Sequence, residues 1–344
     1  MDSPPPVGGS ATAPQELLDE PRGFPLDPRP AWSLPPGAAG RAENLAFAPD
    51  ASFFAVVDTD AERVAIYERR GDALDYGDAP VGWIEGPLAE WRYPHDVDVS
   101  SDGRRLVVAH RLGRSVQVFR RIGDTPVRFA REPAWTLKGR ASGLGYCDGA
   151  RLVPPHEDLI ATANLAEHRI TFLRRSALGR DRWRRRPHAT LEGEASGLSH
   201  PDGLAFSPSG DAMAVANHAA GTVTVYARSE GDTPYGPRPV ATLGDGALAC
   251  PHSLAFSRDG AHLAVTEAGG RFLTVFHRAS GAGGHEWSRE PVLRLDATPA
   301  HVRPADQEGG PKGVAFGDGF LAYCSPEAGV RLHRLTAAAS ASRP

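Results

Sequence analysis

From about residue 29 to residue 336 the chain is written in short phrases whose apolar and polar side chains alternate, each closed by Gly, Asp, Asn or Pro. Alternation with a period of two, bounded by turn formers, is the signature of β-strands. Three phrases return in the same order. Asp202-Gly-Leu-Ala-Phe-Ser-Pro-Ser-Gly-Asp211 is followed by Ala212-Met-Ala-Val-Ala-Asn217 and then Gly221-Thr-Val-Thr-Val-Tyr226. Copies begin at Glu43, His95 and His252, a looser one at Asp148 and a shortened one at Lys312. The first apolar residue of each copy is Leu45, Val97, Ala150, Leu204, Leu254 and Val314, at steps of 52, 53, 54, 50 and 60 residues. Ser-Asp-Gly, Pro-Ser-Gly and Arg-Asp-Gly triplets between the first and second phrases mark tight hairpins. A fourth apolar phrase follows a polar loop in five units: Val81–Ile84, Ala134–Leu137, Ala189–Leu191, Val240–Leu243 and Val292–Leu295.

Four strands repeated six times at this period predict an all-β, six-bladed β-propeller with four antiparallel strands per blade. The sixth unit ends near Leu335 without its fourth strand. Pro30-Ala-Trp-Ser-Leu34 copies Pro133-Ala-Trp-Thr-Leu137, so the N-terminal strand is expected to complete the last blade and remove the open edge. Residues 1–28, rich in Pro, Ala, Ser and Gly, and residues 337–344 read as disordered tails around a propeller spanning 29–336.

Val215-Ala-Asn217 with Gly221-Thr-Val-Thr-Val225 resembles the YVTN propeller repeat. Gly197-Leu-Ser-His-Pro-Asp-Gly-Leu-Ala-Phe206 resembles the NHL and regucalcin/gluconolactonase (lactonase-like) propellers. This likeness of repeats runs from about Trp32 to Leu335 and implies the propeller fold; propellers host many functions, so it carries activity only weakly.

Composition narrows the function classes. A net charge of −4 leaves no basic surplus for phosphates and argues against a general nucleic-acid binder. No apolar run is long enough to span a membrane. Three cysteines, Cys147, Cys250 and Cys324, make a disulfide framework a poor expectation. The N-terminal residues lack the basic start and apolar stretch of a secretory signal, so a soluble cytoplasmic protein is expected.

In a propeller the innermost strands line a central channel, and their starts lie on the same face as the ends of the second strands. Two residues before each anchor stand Glu43, His95, Asp148, Asp202, His252 and Lys312, every one charged or titratable. Turn chemistry accounts for Asp before Gly, but not for two histidines, a glutamate and a lysine. The second-strand ends form another polar series: Asp58, His110, Asn164, Asn217, Glu267 and Ser325. Carboxylates with imidazoles suit a divalent cation, calcium or magnesium for oxygen ligands and zinc or manganese once nitrogen joins.

The lactonase-like resemblance implies metal ligands at Glu43, Asp202 and His252. Of these only Glu43 keeps the residue type of that group, whose fourth and fifth blades carry Asn and Asp. It also implies a substrate contact at Asp148. His95, Asn164, Asn217 and Lys312 are further candidates for binding substrate, and Asp202, Asp58, His110 or Glu267 for the general base. The leading expectation is a metal-dependent hydrolase of a small metabolite. The alternatives are a non-catalytic propeller that presents a face to a protein partner, and a lyase or isomerase using His95, His110 or His252 without metal. Asp296 to Gly313 is a candidate lid. The basic run Arg174 to Arg186 is expected on the opposite face, as a solvated loop.

Overall fold

The computed structural model describes residues 23–85, 91–179, 181–279, 284–298 and 309–336. The strands form six sheets in chain order, each an antiparallel ladder. Blade 1 holds β2 (Ala42–Phe47), β3 (Phe53–Asp58), β4 (Arg63–Glu68) and β5 (Gly82–Ile84). Blade 2 holds β6 (Pro94–Val99), β7 (Arg105–His110), β8 (Ser115–Asp124) and β10 (Trp135–Lys138), with β9 (Val127–Phe129) as a fifth strand on β8. Blade 3 is β11 (Cys147–Leu152), β12 (Leu159–Asn164), β13 (Arg169–Arg174) and β14 (Ala189–Leu191). Blade 4 is β15 (Pro201–Phe206), β16 (Ala212–Asn217), β17 (Thr222–Ala227) and β18 (Ala241–Leu243). Blade 5 is β19 (Pro251–Phe256), β20 (His262–Glu267), β21 (Phe272–His277) and β22 (Leu293–Asp296).

Blade 6 closes the ring. Its three C-terminal strands, β23 (Val314–Gly317), β24 (Phe320–Ser325) and β25 (Gly329–Leu335), are completed by β1 (Leu26–Leu34) in the order β1-β25-β24-β23. Trp32 pairs with Leu332 and Leu34 with Val330, the join expected from the copied Trp phrase. The strand begins at Leu26, inside the segment expected to be a tail, and Phe24 ahead of it is buried edge-on to His262 and Phe316. The rest of the expected N-terminal tail, the whole C-terminal one and most of the candidate lid lie outside the described residues.

Each blade is covered on both faces by its neighbours, so its second strand is apolar at both parities. Phe53 to Asp58 is buried throughout. Phe54 and Val56 join a cluster with blade 6, while Phe53, Ala55 and Val57 join one with blade 2. Six such clusters fill the six blade-to-blade seams, the one between blades 6 and 1 included. Apolar burial at every seam holds the blades together around the axis.

Candidate functional site

The innermost strands share a device that aims one side chain inward. The first residue of β2 pairs with the last of β3 (Ala42 with Asp58), and a register shift follows before Leu45 meets Val56. Blades 2 to 5 repeat it, Pro94, Cys147, Pro201 and Pro251 pairing with His110, Asn164, Asn217 and Glu267 before the shift. A bulge leaves a residue out of the ladder and redirects it. The residues at these shifts are Glu43, His95, Asp148, Asp202 and His252, joined in blade 6 by Lys312; all six are buried.

They meet across blades. His95 Nδ1 donates to the Asp148 carbonyl at 2.9 Å and His252 Nδ1 to the Lys312 carbonyl at 3.2 Å. A carbonyl only accepts, so both rings carry a proton on Nδ1 and turn Nε2 to the centre. There the two Nε2 atoms stand 3.4 Å (His95) and 3.1 Å (His252) from the same oxygen, Oε1 of Glu43. Lys312 Nζ lies 3.1 Å from it as well. Oε2 of Glu43 has no hydrogen bond, and Arg41 Nε is 3.9 Å away. Glu43, His95 and His252 each offer a ligand atom within 4.8 Å of the others, and His95, Asp148 and Asp202 do the same. Asp202 Oδ2 lies 3.8 Å from His252 Nε2, so the expected ligands Glu43, Asp202 and His252 and also His95 are brought to the same centre.

Electrostatics separates the three carboxyls. Burial pushes Glu43 up, but Lys312, the His252 bond and His95 together hold it well below the usual carboxylate range. Asp202 is likewise raised by burial and more than recovered by His252, His218 and His95, so it is ionised. Asp148 is driven well above the ordinary range by burial and by the Asp202 charge, against Arg111 and Lys312. Neither Asp148 oxygen has a hydrogen bond; Arg111 Nε is 3.4 Å from Oδ1. Burial lowers His95 despite the Asp202 and Glu43 charges, keeping its imidazole neutral.

Above this floor opens a cavity of about 380 Å³ walled by Arg111, Leu165, His200, His218, Ala219 and Cys250. Two of these were missed in the sequence. Arg111 and His218 follow the second-strand ends His110 and Asn217, one step past the inspected series, and bend back onto Asp148 and, at 3.3 Å, Asp202. Backbone bonds from Arg111 to Tyr93 and from His218 to His200 mark the equivalent positions. Tyr93, His200 and Cys250 all hold left-handed backbone, with φ of 56°, 51° and 51°. Such strain in non-glycine residues gathers at functional mouths.

The second polar series is turned into its own blades. Asp58, Asn164, Asn217 and Glu267 accept the backbone N–H of Arg41, Gly145, Ser199 and Ala249, which lead into the innermost strands. Asn164, Asn217 and Glu267 also bond Thr171, Thr224 and Thr274 on the third strand. Ser325 accepts from Glu327 within its turn, and His110 lies edge-on to Trp91 at 4.8 Å. These side chains brace the strands that carry the inner ring; none of them lines the mouth cavity.

Directly beneath the ring a polar layer links blades 1, 2 and 3. Asn44 bonds Asp96 at 2.6 Å, and Asp96 holds Arg151 at 2.6 Å. Gly203 and Gly313 let neighbouring strands meet: a Cβ would stand 2.2 Å from the His252 carbonyl and 2.7 Å from the Asn44 Cα.

No family profile and no curated protein sequence matches the chain. Among 1269 matching chains of solved structures is the β-propeller domain of Cps50 (Swd1) from Myceliophteria thermophila. It is 14% identical, covers 86% of this chain and 97% of that one, and aligns with a TM-score of 0.56. That likeness shows the propeller fold. No helix among the described residues is long and apolar enough to cross a membrane.

Proposed function

We propose that the strand-start mouth binds a divalent cation and processes a small polar molecule hydrolytically. The observation that carries this reading is the pair of Nε2 atoms facing one carboxylate oxygen. With both Nδ1 atoms engaged by backbone carbonyls, the two Nε2 atoms converge on one carboxylate oxygen, an arrangement of two imidazoles and a carboxylate that can ligate a cation. The unbonded Glu43 Oε2 and Asp148 oxygens are further donors without hydrogen-bond partners. Glu43, His95 and His252 would hold the ion, and two imidazoles with one carboxylate favour zinc or manganese over calcium. When bound, such an ion supplies Lewis acidity and lowers the pKa of a coordinated water.

The chain's own residues supply the rest. Ionised Asp202, braced by His218, is placed to take a proton. Protonated Asp148, with one oxygen within 4.8 Å of an Asp202 oxygen, is placed to give one. Two carboxyls whose surroundings drive them apart make an acid–base pair. Arg111 and Lys312 supply positive charge at the cavity wall and orient an oxygen-rich substrate.

Elemental analysis of the purified protein is the test. One zinc or manganese per chain, absent from His95→Ala and His252→Ala, supports the reading. A metal-free protein whose melting temperature ignores both chelator and added zinc sinks it.

A second reading, a non-catalytic propeller facing a protein partner, has one observation on its side. A rim groove of about 310 Å³ between blades 1 and 2 exposes Val81 and Ile122 beside Trp83. It predicts no metal and no effect of the ring substitutions on partner binding.

A further inference from the structure

The opposite end of the channel is a second, separate cavity. It measures about 280 Å³ and shares no lining residue with the first. Its wall is set by the residue after each anchor, a position that reads Ala46, Asp98, Arg151, Ala205, Ala255 and Ala315. Four blades place a methyl group there. Blades 2 and 3, which are adjacent, place a carboxyl and a guanidinium. A repeat that builds an apolar funnel is therefore broken on one side only.

The bland explanation is a latch between blades, and the latch does exist. It is made one layer higher, where Arg151 Nη1 binds Asp96 Oδ2 at 2.6 Å and the Val97 carbonyl at 2.8 Å. Asp98 is not needed for it. Its Oδ2 accepts the Leu152 N–H at 2.8 Å, and the side chain remains half-buried in the cavity wall. Glu157, also in the lining, takes the Ser101 N–H and lies 3.5 Å from Arg105. The ionisable lining thus holds two carboxylates against one guanidinium. Burial pushes Asp98 up to about 6, which Arg151 and the Leu152 bond only partly oppose, so its charge is under-compensated in the free protein. Phe47, Phe206, Phe256 and Phe316 line the rim, adding aromatic surface, a favourable setting for a cation.

We propose that this strand-end mouth is a binding site for a small organic cation, an ammonium on a compact apolar body. Asp98 receives the charge and the alanine wall receives the body. The volume lies near the lower end of the range for small-molecule pockets and admits one ring with a short arm. This site is independent of the metal reading at the other mouth.

The test compares three probes of one shape on the intact chain: benzylammonium, benzyl alcohol and benzoate, titrated calorimetrically near neutral pH. Benzylammonium is expected to bind once per chain, about tenfold more tightly than benzyl alcohol, with benzoate excluded. Asp98→Asn should erase the preference for the cation, and Ala255→Leu should weaken both remaining ligands by filling the wall. Thermal melts of each variant establish that it is folded. Equal binding of the alcohol, preference for benzoate, or no heat from benzylammonium at millimolar concentration overturns the proposal. So does benzylammonium binding that is unchanged in folded Ala255→Leu.

Discussion

The two polar series of this propeller look alike as sequence and differ in what their partners are. Each supplies one residue per blade, each stands in an otherwise apolar strand, and each is mostly carboxylate, amide or imidazole. The outer one finds its hydrogen bonds inside its own blade, on the loop leading into the innermost strand and on the third strand's threonines. The inner one finds its partners in other blades: Glu43 of blade 1 against His95, His252 and Lys312 of blades 2, 5 and 6. A group satisfied at home is scaffold. Groups gathered from three other blades onto one carboxylate oxygen of blade 1, with Glu43 Oε2 and both Asp148 oxygens left unbonded, cost stability, and the proposed function gives a reason for that cost.

The largest break in that contrast is Glu43→Ala. It should abolish metal binding and leave Lys312 buried without its carboxylate, costing about 3–5 kcal/mol in denaturant unfolding. Adding Lys312→Met should return most of the stability and none of the metal. Metal retained by the double variant would show that the ring does not hold it. Asn217→Ala attacks the outer series. It orphans the Ser199 N–H, leaves the Thr224 hydroxyl with Tyr226 alone, and should cost about 2 kcal/mol, with metal content unchanged in the folded fraction. Loss of metal in proportion to neither unfolding nor aggregation would erase the distinction between the two series.

The repeat exposed the fold because its cause is local. Alternation, turn triplets and the copied Trp phrase report backbone pairing directly, and the Trp32–Leu332 join follows from them. The six inward positions were also readable, since a bulge recurs at the same place in five copies and Lys312 stands at the equivalent position of the sixth. What the sequence withheld was distance around the ring. How His95 and Asp202 approach the Glu43–His252 pair depends on blade order and on which ring nitrogen the neighbouring carbonyl claims. Arg111 and His218 sit where the repeat has turned into loop, and they reach the site only because the loops fold back over the mouth. The partners of the outer series were not legible for a physical reason: hydrogen bonds to backbone and to threonine leave no mark in composition. The extra strand β9 lies in a loop whose counterparts in blades 3, 4 and 5 make only isolated bridges, Arg175–Trp183, Arg228–Tyr235 and Arg278–Trp287.

The smallest expected effect concerns a carboxyl that belongs to neither series. Asp98 lies below the polar layer, and burial lifts it from an ordinary 3.8 to about 6 against the opposing Arg151 charge. A carboxyl raised in the folded state stabilises the protein in its protonated form, so its contribution is full below about pH 4 and is lost as pH rises through 6. Buried histidines pull the other way across that window. His110, lowered to about 3 by burial despite Gln117, must stay neutral in the fold while the unfolded chain takes up protons. The informative quantity is therefore the difference between wild type and Asp98→Asn, measured by urea unfolding from pH 4 to pH 8. Wild type should lose ground to the variant as pH rises, by at most about 2 kcal/mol because solvent at the mouth screens a half-buried group. A flat difference would mean that Asp98 is already compensated by Arg151, making this mouth as self-satisfied as the outer series. A full slope leaves Asp98 holding a charge that Arg151 does not compensate.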